Sequence, residues 1–512
     1  MKTSVFEYLE KSFTLFNGRT ALADDKGLLN FSELEQRSAS LAAKILDFTE
    51  SANQPVAFLL PKSKDCLVTI AAILASSNTY VPLDEKSPTG RLKAILGNIR
   101  PALVITTSGL DAKLQEAGYG SSKVIYLDEF TFDPPTNEAR SLLKERRELL
   151  IDTDPAYIIN TSGSTGIPKG VVISHRSIID YIDWAIDCYG VCEKMVIGNQ
   201  APFHFDNSTL DIYLGFATGA TIDVIPEMCF AFPAKLVEYV NAHGINFVFW
   251  VPSVLINVAN VNLFDKMAPP ALTHVLFAGE VMPNRHLNYW RKHLPDALFS
   301  NLYGPTEITV DCTYYIVDRE FGDCDLLPIG IPCRNTDVMV LNKENQLCQQ
   351  GEHGELCVRG SSLALGYWAD PVRTAEVFVQ NPLNKNYPEL IYRTGDIVFT
   401  NEHGEIMFIG RKDNQIKHLG YRIELGEIET SVLGISEVKN ACVLYNQDEK
   451  AITLFYEAFE GLTDAGIKKA LVGKLSKHMI PTAFHRLDTL PKTPNGKIDR
   501  QALLRIMLGD DK

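Results

Sequence analysis

The chain has 512 residues, 46% of them hydrophobic, and a formal net charge of −14. That length is too great for one hydrophobic core and predicts two or more domains, while the acidic balance argues against nucleic acid or an anionic membrane as a partner. There is no uninterrupted apolar run of about 18 residues to span a bilayer, the N-terminus does not read as a signal peptide, and the ten cysteines are scattered without a Cys-x-x-Cys, as in a reduced cytoplasmic protein.

Residues 55–60 read as a strand, 65–75 as a helix and 79–83 as the next strand. This βαβ pattern continues with strands at 103–106 and 123–127. The basic run 144–147 is broken by Glu145 and reads as a solvated helix face. A buried strand is expected at 156–159. It runs into Thr161-Ser162-Gly163-Ser164-Thr165-Gly166-Ile167-Pro168-Lys169-Gly170. Glycines let a backbone bend so that several N–H groups converge on one anion. The hydroxyls donate further hydrogen bonds and Lys169 adds a point charge. The segment reads as a phosphate cradle, with a plain Gly/Ser surface loop as the alternative. It differs from a P-loop, because Pro168 stands where the second glycine would be.

Between 195 and 299 the pattern alternates again, with strands expected at 220–225, 247–251 and 274–277. A large α/β domain with more than one sheet follows from this. From 327 to 408 short β-rich runs, such as 337–341 and 354–358, are separated by Gly and Asn turns and predict a small barrel or distorted sheet. The polar stretch 410–414 reads as a domain boundary. Beyond it a helix at 425–433, strands at 441–445 and 452–456, and a helix at 465–478 predict a compact α+β unit.

Four further motifs follow the cradle in order: Asn301-Leu302-Tyr303-Gly304-Pro305-Thr306-Glu307, Tyr392-Arg393-Thr394-Gly395-Asp396, Gly410-Arg411-Lys412-Asp413 and Pro494-Asn495-Gly496-Lys497. Together the set resembles that of the adenylate-forming superfamily, which includes acyl-CoA synthetases, luciferases and the adenylation domains of nonribosomal peptide synthesis. The resemblance implies an N-terminal core over 1–410, built from two α/β sheets and a small β-barrel-like subdomain. It also implies a hinge at 411–413, centred on Asp413, and a small mobile α+β domain over 414–512.

The same resemblance assigns roles. Thr161, Ser162, Gly163, Thr165 and Lys169 contact the triphosphate of ATP. Asn301, Tyr303 and Gly304 surround the adenine, with Tyr303 stacking on it. Asp396 accepts the ribose hydroxyls and Arg411 adds a ribose or phosphate contact. Thr306 reaches the α-phosphate, Glu307 holds Mg²⁺, and Lys497 bridges the substrate carboxylate and the α-phosphate. These three form the catalytic group. The stretch 417–424, Lys417-His418-Leu419-Gly420-Tyr421-Arg422-Ile423-Glu424, matches the family's loop that enters the active site after domain rotation. Its glycine would let a pantetheine arm pass close to backbone.

The acid to be activated is read from Phe203-His204-Phe205-Asp206-Asn207-Ser208. A buried ammonium needs an anionic partner, and Asp206 stands where amino-acid-activating members carry their aspartate, with Phe205 as the aromatic gate. Asp206 as a helix N-cap is the competing reading. The other walls are Asn207, Leu210, Phe249, Leu276, Ala278, Leu302, Val310 and Asp311, which suit a small or medium neutral side chain. Asp311 leaves hydroxyl-bearing and basic substrates open. Asn199-Gln200-Ala201-Pro202-Phe203 and Phe277-Ala278-Gly279-Glu280-Val281 look like D-alanine:carrier protein ligases, except that Ala278 replaces their cysteine. The expected reaction is ATP-dependent formation of an aminoacyl-AMP with release of pyrophosphate, then transfer to a phosphopantetheinylated carrier protein. No carrier serine motif occurs in the sequence, so that carrier is expected to act in trans. The alternative is an acyl- or aryl-CoA synthetase that uses free coenzyme A.

Overall fold

A computed structural model describes residues 2–162, 168–323, 325–412, 415–447, 449–459, 461–491 and 498–509. Two α/β sheets form its bulk. In the first, Pro55–Leu59, Thr79–Leu83, Leu103–Thr106 and Val124–Tyr126 run parallel. The antiparallel pair Pro155–Thr161 and Lys169–Ser174 extends this sheet, and Gly366–Tyr367 closes its edge. Strands of this kind are covered on both faces and read as continuous apolar runs; Thr79–Leu83 is buried along its whole length. The helix Lys64–Ala75 is buried almost all round, because it lies between layers rather than at the surface.

The second sheet has a parallel core of Thr20–Asp24, Thr221–Val224, Val196–Asn199, Phe247–Trp250, His274–Phe277 and Leu298–Tyr303. Thr313–Ile316 then returns antiparallel. Alternation along Phe247–Trp250 sends Phe249 into the core shared with Leu276 and Leu302, and Trp250 into the core on the opposite face. A third, antiparallel sheet joins Thr336–Leu341, Gly354–Gly360, Leu390–Thr400, Phe378–Gln380 and Ile406–Arg411.

The C-terminal part begins with the hairpin Gln415–His418 and Tyr421–Glu424 and the helix Leu425–Leu433. The sheet Val438–Asn446, Ala451–Ala458 and Ala483–Arg486 follows. Separate apolar clusters cover its two faces. The expected architecture is thus present: a large mixed N-terminal unit and a small α+β unit. One element is corrected. The helix predicted over 465–478 spans only Asp464–Leu471. The chain becomes extended at Val472 and left-handed at Gly473, φ +90°, which ends a helix. Lys477–Met479 is a separate 3₁₀ turn.

Candidate active site

The C-terminal hairpin lies across the ends of the N-terminal strands, and a cavity of about 120 Å³ remains between them. Ligand clefts typically hold roughly 300–1,000 Å³. The difference follows from the hairpin, since Lys417, Gly420, Tyr421 and Arg422 all form part of the wall.

On one side of the cavity stands the cradle. Pairing of Thr161 with Lys169 sets the two ends of the connecting segment side by side. Ser162 Oγ donates to the carbonyl of Arg422 at 2.7 Å. Lys169 Nζ lies 3.2 Å from Glu307 Oε1. Tyr367 donates to the same oxygen at 2.7 Å, and Arg422 to Oε2 at 2.5 Å. Glu307 is fully buried. Burial alone would push its pKa up, but the Arg422 guanidinium and then Lys169 outweigh it and hold the carboxyl well below the usual range. Burial lowers the Lys169 pKa. Asn160 and Thr161 line the cavity with buried side-chain polar atoms that have no hydrogen-bond partner among the described residues. Such groups are costly unless a ligand or water satisfies them.

A second wall carries Asp396 opposite Arg411 in the strand register. Arg411 donates to Asp396 Oδ1 at 2.8 Å and to the Thr394 carbonyl at 3.0 Å. The Tyr303 hydroxyl donates to Asp396 Oδ2. Lys417 Nζ sits 5.5 Å from the centre of the Tyr303 ring, within cation–π reach. Asn301 is buried and its amide donates to the Pro328 carbonyl at 2.8 Å. Gly304 sits where a Cβ would meet the Val310 carbonyl at 2.3 Å. The tight return after this motif places Thr309 and Val310 at φ +59° and +71°.

The third wall holds Phe205, Asp206, Asn207 and Thr306. Asp206 Oδ1 accepts the Asn207 N–H at 3.0 Å, and its carboxylate accepts a hydrogen bond from Thr306. Burial pushes its pKa up, against the Thr306 hydrogen bond and the Lys417 charge nearby, with which it makes no ion pair within 4 Å. It does not cap the helix Ser208–Thr218, whose N-cap residue is Asn207 and makes no side-chain cap bond. Phe205 meets Tyr421 of the hairpin edge-on at 4.7 Å. Leu210, Phe249, Leu276, Ala278, Leu302 and Val310 are buried in the large N-terminal core, and none of them lines the cavity. Asp311 is buried too, accepts the Tyr181 hydroxyl at 2.6 Å and has its pKa pushed up to about 7, chiefly by burial.

Gly163, Thr165, Asp413 and Lys497 lie outside the described residues. The flanks of the lysine loop are described: the Asp499 N–H donates to the Pro491 carbonyl at 2.8 Å, and neither residue lines the cavity. Sequence reasoning passed over Tyr367, Asn160 and Arg91. Asn160 carried a signal, being polar at the end of an otherwise apolar strand; Tyr367 and Arg91 carried none, since their partners are remote in sequence.

The family model of AMP-binding enzymes matches residues 9–368, and that of the AMP-binding enzyme C-terminal domain matches 427–497. Tyrocidine synthase 1 of Brevibacillus parabrevis is 31% identical over 503 residues, which cover 98% of this chain and 45% of that protein. The L-proline--[L-prolyl-carrier protein] ligase of Pseudomonas fluorescens is 32% identical over 514 residues, covering 98% of this chain and 99% of the ligase. The chain therefore spans less than half of the first relative and nearly all of the second. The Vibrio cholerae adenylation domain AlmE, solved in complex with glycyl-adenosine-5'-phosphate, shares the fold. Its TM-score is 0.84 at 21% identity, over 99% of this chain and 98% of that one. No helix among the described residues is long and apolar enough to cross a membrane.

Proposed function

We propose that this chain, which belongs to the AMP-binding enzymes and is an AMP-forming ligase that adenylates amino acids, activates a small or medium neutral amino acid and passes it to a separate phosphopantetheinylated carrier protein. The observation that carries the reading is Asp206: a carboxylate on the cavity wall, raised in pKa by burial despite the Lys417 charge nearby, and in no ion pair within 4 Å among the described residues. An ammonium group would complete it. A fatty or aryl acid offers none, which disfavours the acyl- or aryl-CoA synthetase alternative.

In this reading the amino-acid carboxylate attacks the α-phosphorus of ATP, the bond to pyrophosphate breaks, and an aminoacyl-AMP results. Asn160, Thr161, Ser162 and Lys169, with Gly163 and Thr165, hold the phosphates. Tyr303, Asn301 and Gly304 take the base, and Asp396 with Arg411 the ribose. Thr306 and Lys497 meet the α-phosphate, and Lys497 also orients the attacking carboxylate. Mg²⁺ is commonly bound by one or two carboxylates plus substrate phosphates. Among the described residues no group of three or more His, Cys, Asp and Glu could hold a metal ion by itself, and by the family resemblance Glu307 is the carboxylate that would hold it together with the phosphates. Its Oε2 is free for that role only once Arg422 withdraws. The bound metal would neutralise charge on the phosphates.

In this reading Arg422 withdraws together with the hairpin, and the docked hairpin belongs to the second half-reaction. With the hairpin docked, Lys417 faces Tyr303 and Arg422 faces Glu307. That arrangement suits the step after pyrophosphate has left. The carrier thiol then attacks the acyl carbonyl, the bond to AMP breaks, and the thiol proton leaves to solvent. Rotation about 411–413, centred on Asp413, would connect the two orientations of the unit over 414–512. The carrier reading is supported by the near-complete span of a relative named as a carrier-protein ligase. Proline and D-alanine both belong to the neutral class expected from the residues around Asp206. Pyrophosphate exchange across the common amino acids plus D-alanine tests the reading; coenzyme A as an acceptor faster than any holo-carrier would move it to the alternative.

A further inference from the structure

Glu280 follows the strand His274–Phe277 and touches two distant elements. Its Oε2 accepts the Ser253 N–H at 3.0 Å and the Ser253 hydroxyl. This closes the first turn of the helix Pro252–Asn260, where an anion is favoured. Its Oε1 accepts the N–H of Gly420 at 2.9 Å, at the tip of the C-terminal hairpin. Leu419 and Gly420 have φ +52° and +81°, as a two-residue hairpin turn demands. The tip is seated closely: a Cβ on Gly420 would lie 2.8 Å from Val251 Cγ1. Glu280 is not part of the cavity wall, and none of the adenylation steps uses it.

We infer that Glu280 is a positioning residue for the transfer half-reaction: a carboxylate fixed by the start of one helix that accepts the Gly420 N–H and holds the hairpin docked. The inference rests on the reading that the docked hairpin belongs to thiol transfer rather than adenylation. Ser253 keeps the carboxylate in place in either orientation, so the acceptor is preorganised. Other polar links across the same interface include Arg422 on Glu307, Ser162 on the Arg422 carbonyl, and Arg91 with Glu427 at 2.7 Å. Loss of Glu280 therefore loosens docking without abolishing it.

The test uses the full chain and two readouts. Amide hydrogen exchange is followed over 415–424, and transfer is followed with D-pantetheine as the acceptor and the best-exchanging amino acid as donor. In Glu280→Ala the hairpin amides should exchange about tenfold faster and transfer should slow about tenfold, the scale of one charge-assisted hydrogen bond. Pyrophosphate exchange should stay within about twofold, because adenylation does not use the docked hairpin. Glu280→Gln keeps an acceptor oxygen and should recover part of both losses. Ser253→Ala removes one of the two donors that hold the carboxylate and keeps the N–H, so hairpin protection should fall by less than in Glu280→Ala. Wild-type hairpin protection in Glu280→Ala, or pyrophosphate exchange falling in step with transfer, would overturn the inference. A wild-type chain that activates no amino acid would instead sink the functional reading, while the hydrogen-exchange arm still decides whether Glu280 holds the hairpin.

Discussion

Desolvation disfavours the charged form of half-buried Asp206 on the cavity wall, and the Thr306 hydrogen bond and the nearby Lys417 charge offset this only in part. An amino-acid ammonium relieves it. Asp206→Asn should therefore weaken amino-acid binding by about 2–4 kcal/mol and leave the KM for ATP nearly unchanged. The sign of the pH effect follows from the raised pKa. Protonation begins at a higher pH than for a free aspartate, and only the ionised form attracts ammonium. The amino-acid KM should rise as pH falls through that range in the wild type, and the rise should be absent in Asp206→Asn. Coincident profiles would place the anchor elsewhere. Lys497 is a second residue with a separable role. Lys497→Ala should cut adenylation by roughly 10²–10³-fold, as for one preorganised charge contact, while transfer from preformed aminoacyl-adenylate survives. Equal loss of both steps would contradict the division of labour. Asp206 was singled out because it stands where amino-acid-activating members of the family carry an aspartate, and it lies on the cavity wall. The engagement of Asp311 by Tyr181 was not, because the two lie far apart in sequence and no local pattern links them.

Among elements, the hairpin Gln415–Glu424 carries the most consequence. Its tip residue Gly420 combines a left-handed backbone with a neighbour at 2.8 Å from any added Cβ. Gly420→Ala should cost about 1–2 kcal/mol in the docked orientation, which is about tenfold in the transfer rate, with a smaller effect on pyrophosphate exchange. Single-turnover loading of pantetheine against exchange measures the difference; equal slowing would mean that the hairpin serves both steps. Elements with a strong period were read well. The strand at 274–277 and the helix at 425–433 coincide with His274–Phe277 and Leu425–Leu433. The helix at 465–478 was overextended because its apolar spacing continues past Leu471, while Gly473 takes a left-handed conformation that ends it. A lone glycine in an amphipathic run does not announce which conformation it will adopt.

At the scale of the whole molecule, the two units meet through the cavity, so the site belongs to both. Motif order made the N-terminal walls legible. It could not reveal that Arg422 would sit on Glu307, since that contact depends on the orientation of one unit against the other. A hinge at Asp413 would convert this orientation into another. Proline fixes φ near −65°, so Asp413→Pro should uncouple the half-reactions: one should persist and the other fail, read as pyrophosphate exchange against loading of a holo-carrier. Both proceeding at wild-type rates would show that no rotation about this residue is needed.

An amino acid held here by its ammonium group should be activated only when that group is present. The most direct measurement is ATP–pyrophosphate exchange with the common amino acids plus D-alanine, each compared with the same acid lacking its α-amino group. Exchange is expected with at least one small or medium neutral amino acid, and little with its deaminated counterpart. Equal exchange by the deaminated acid, or no exchange with any amino acid, would contradict it.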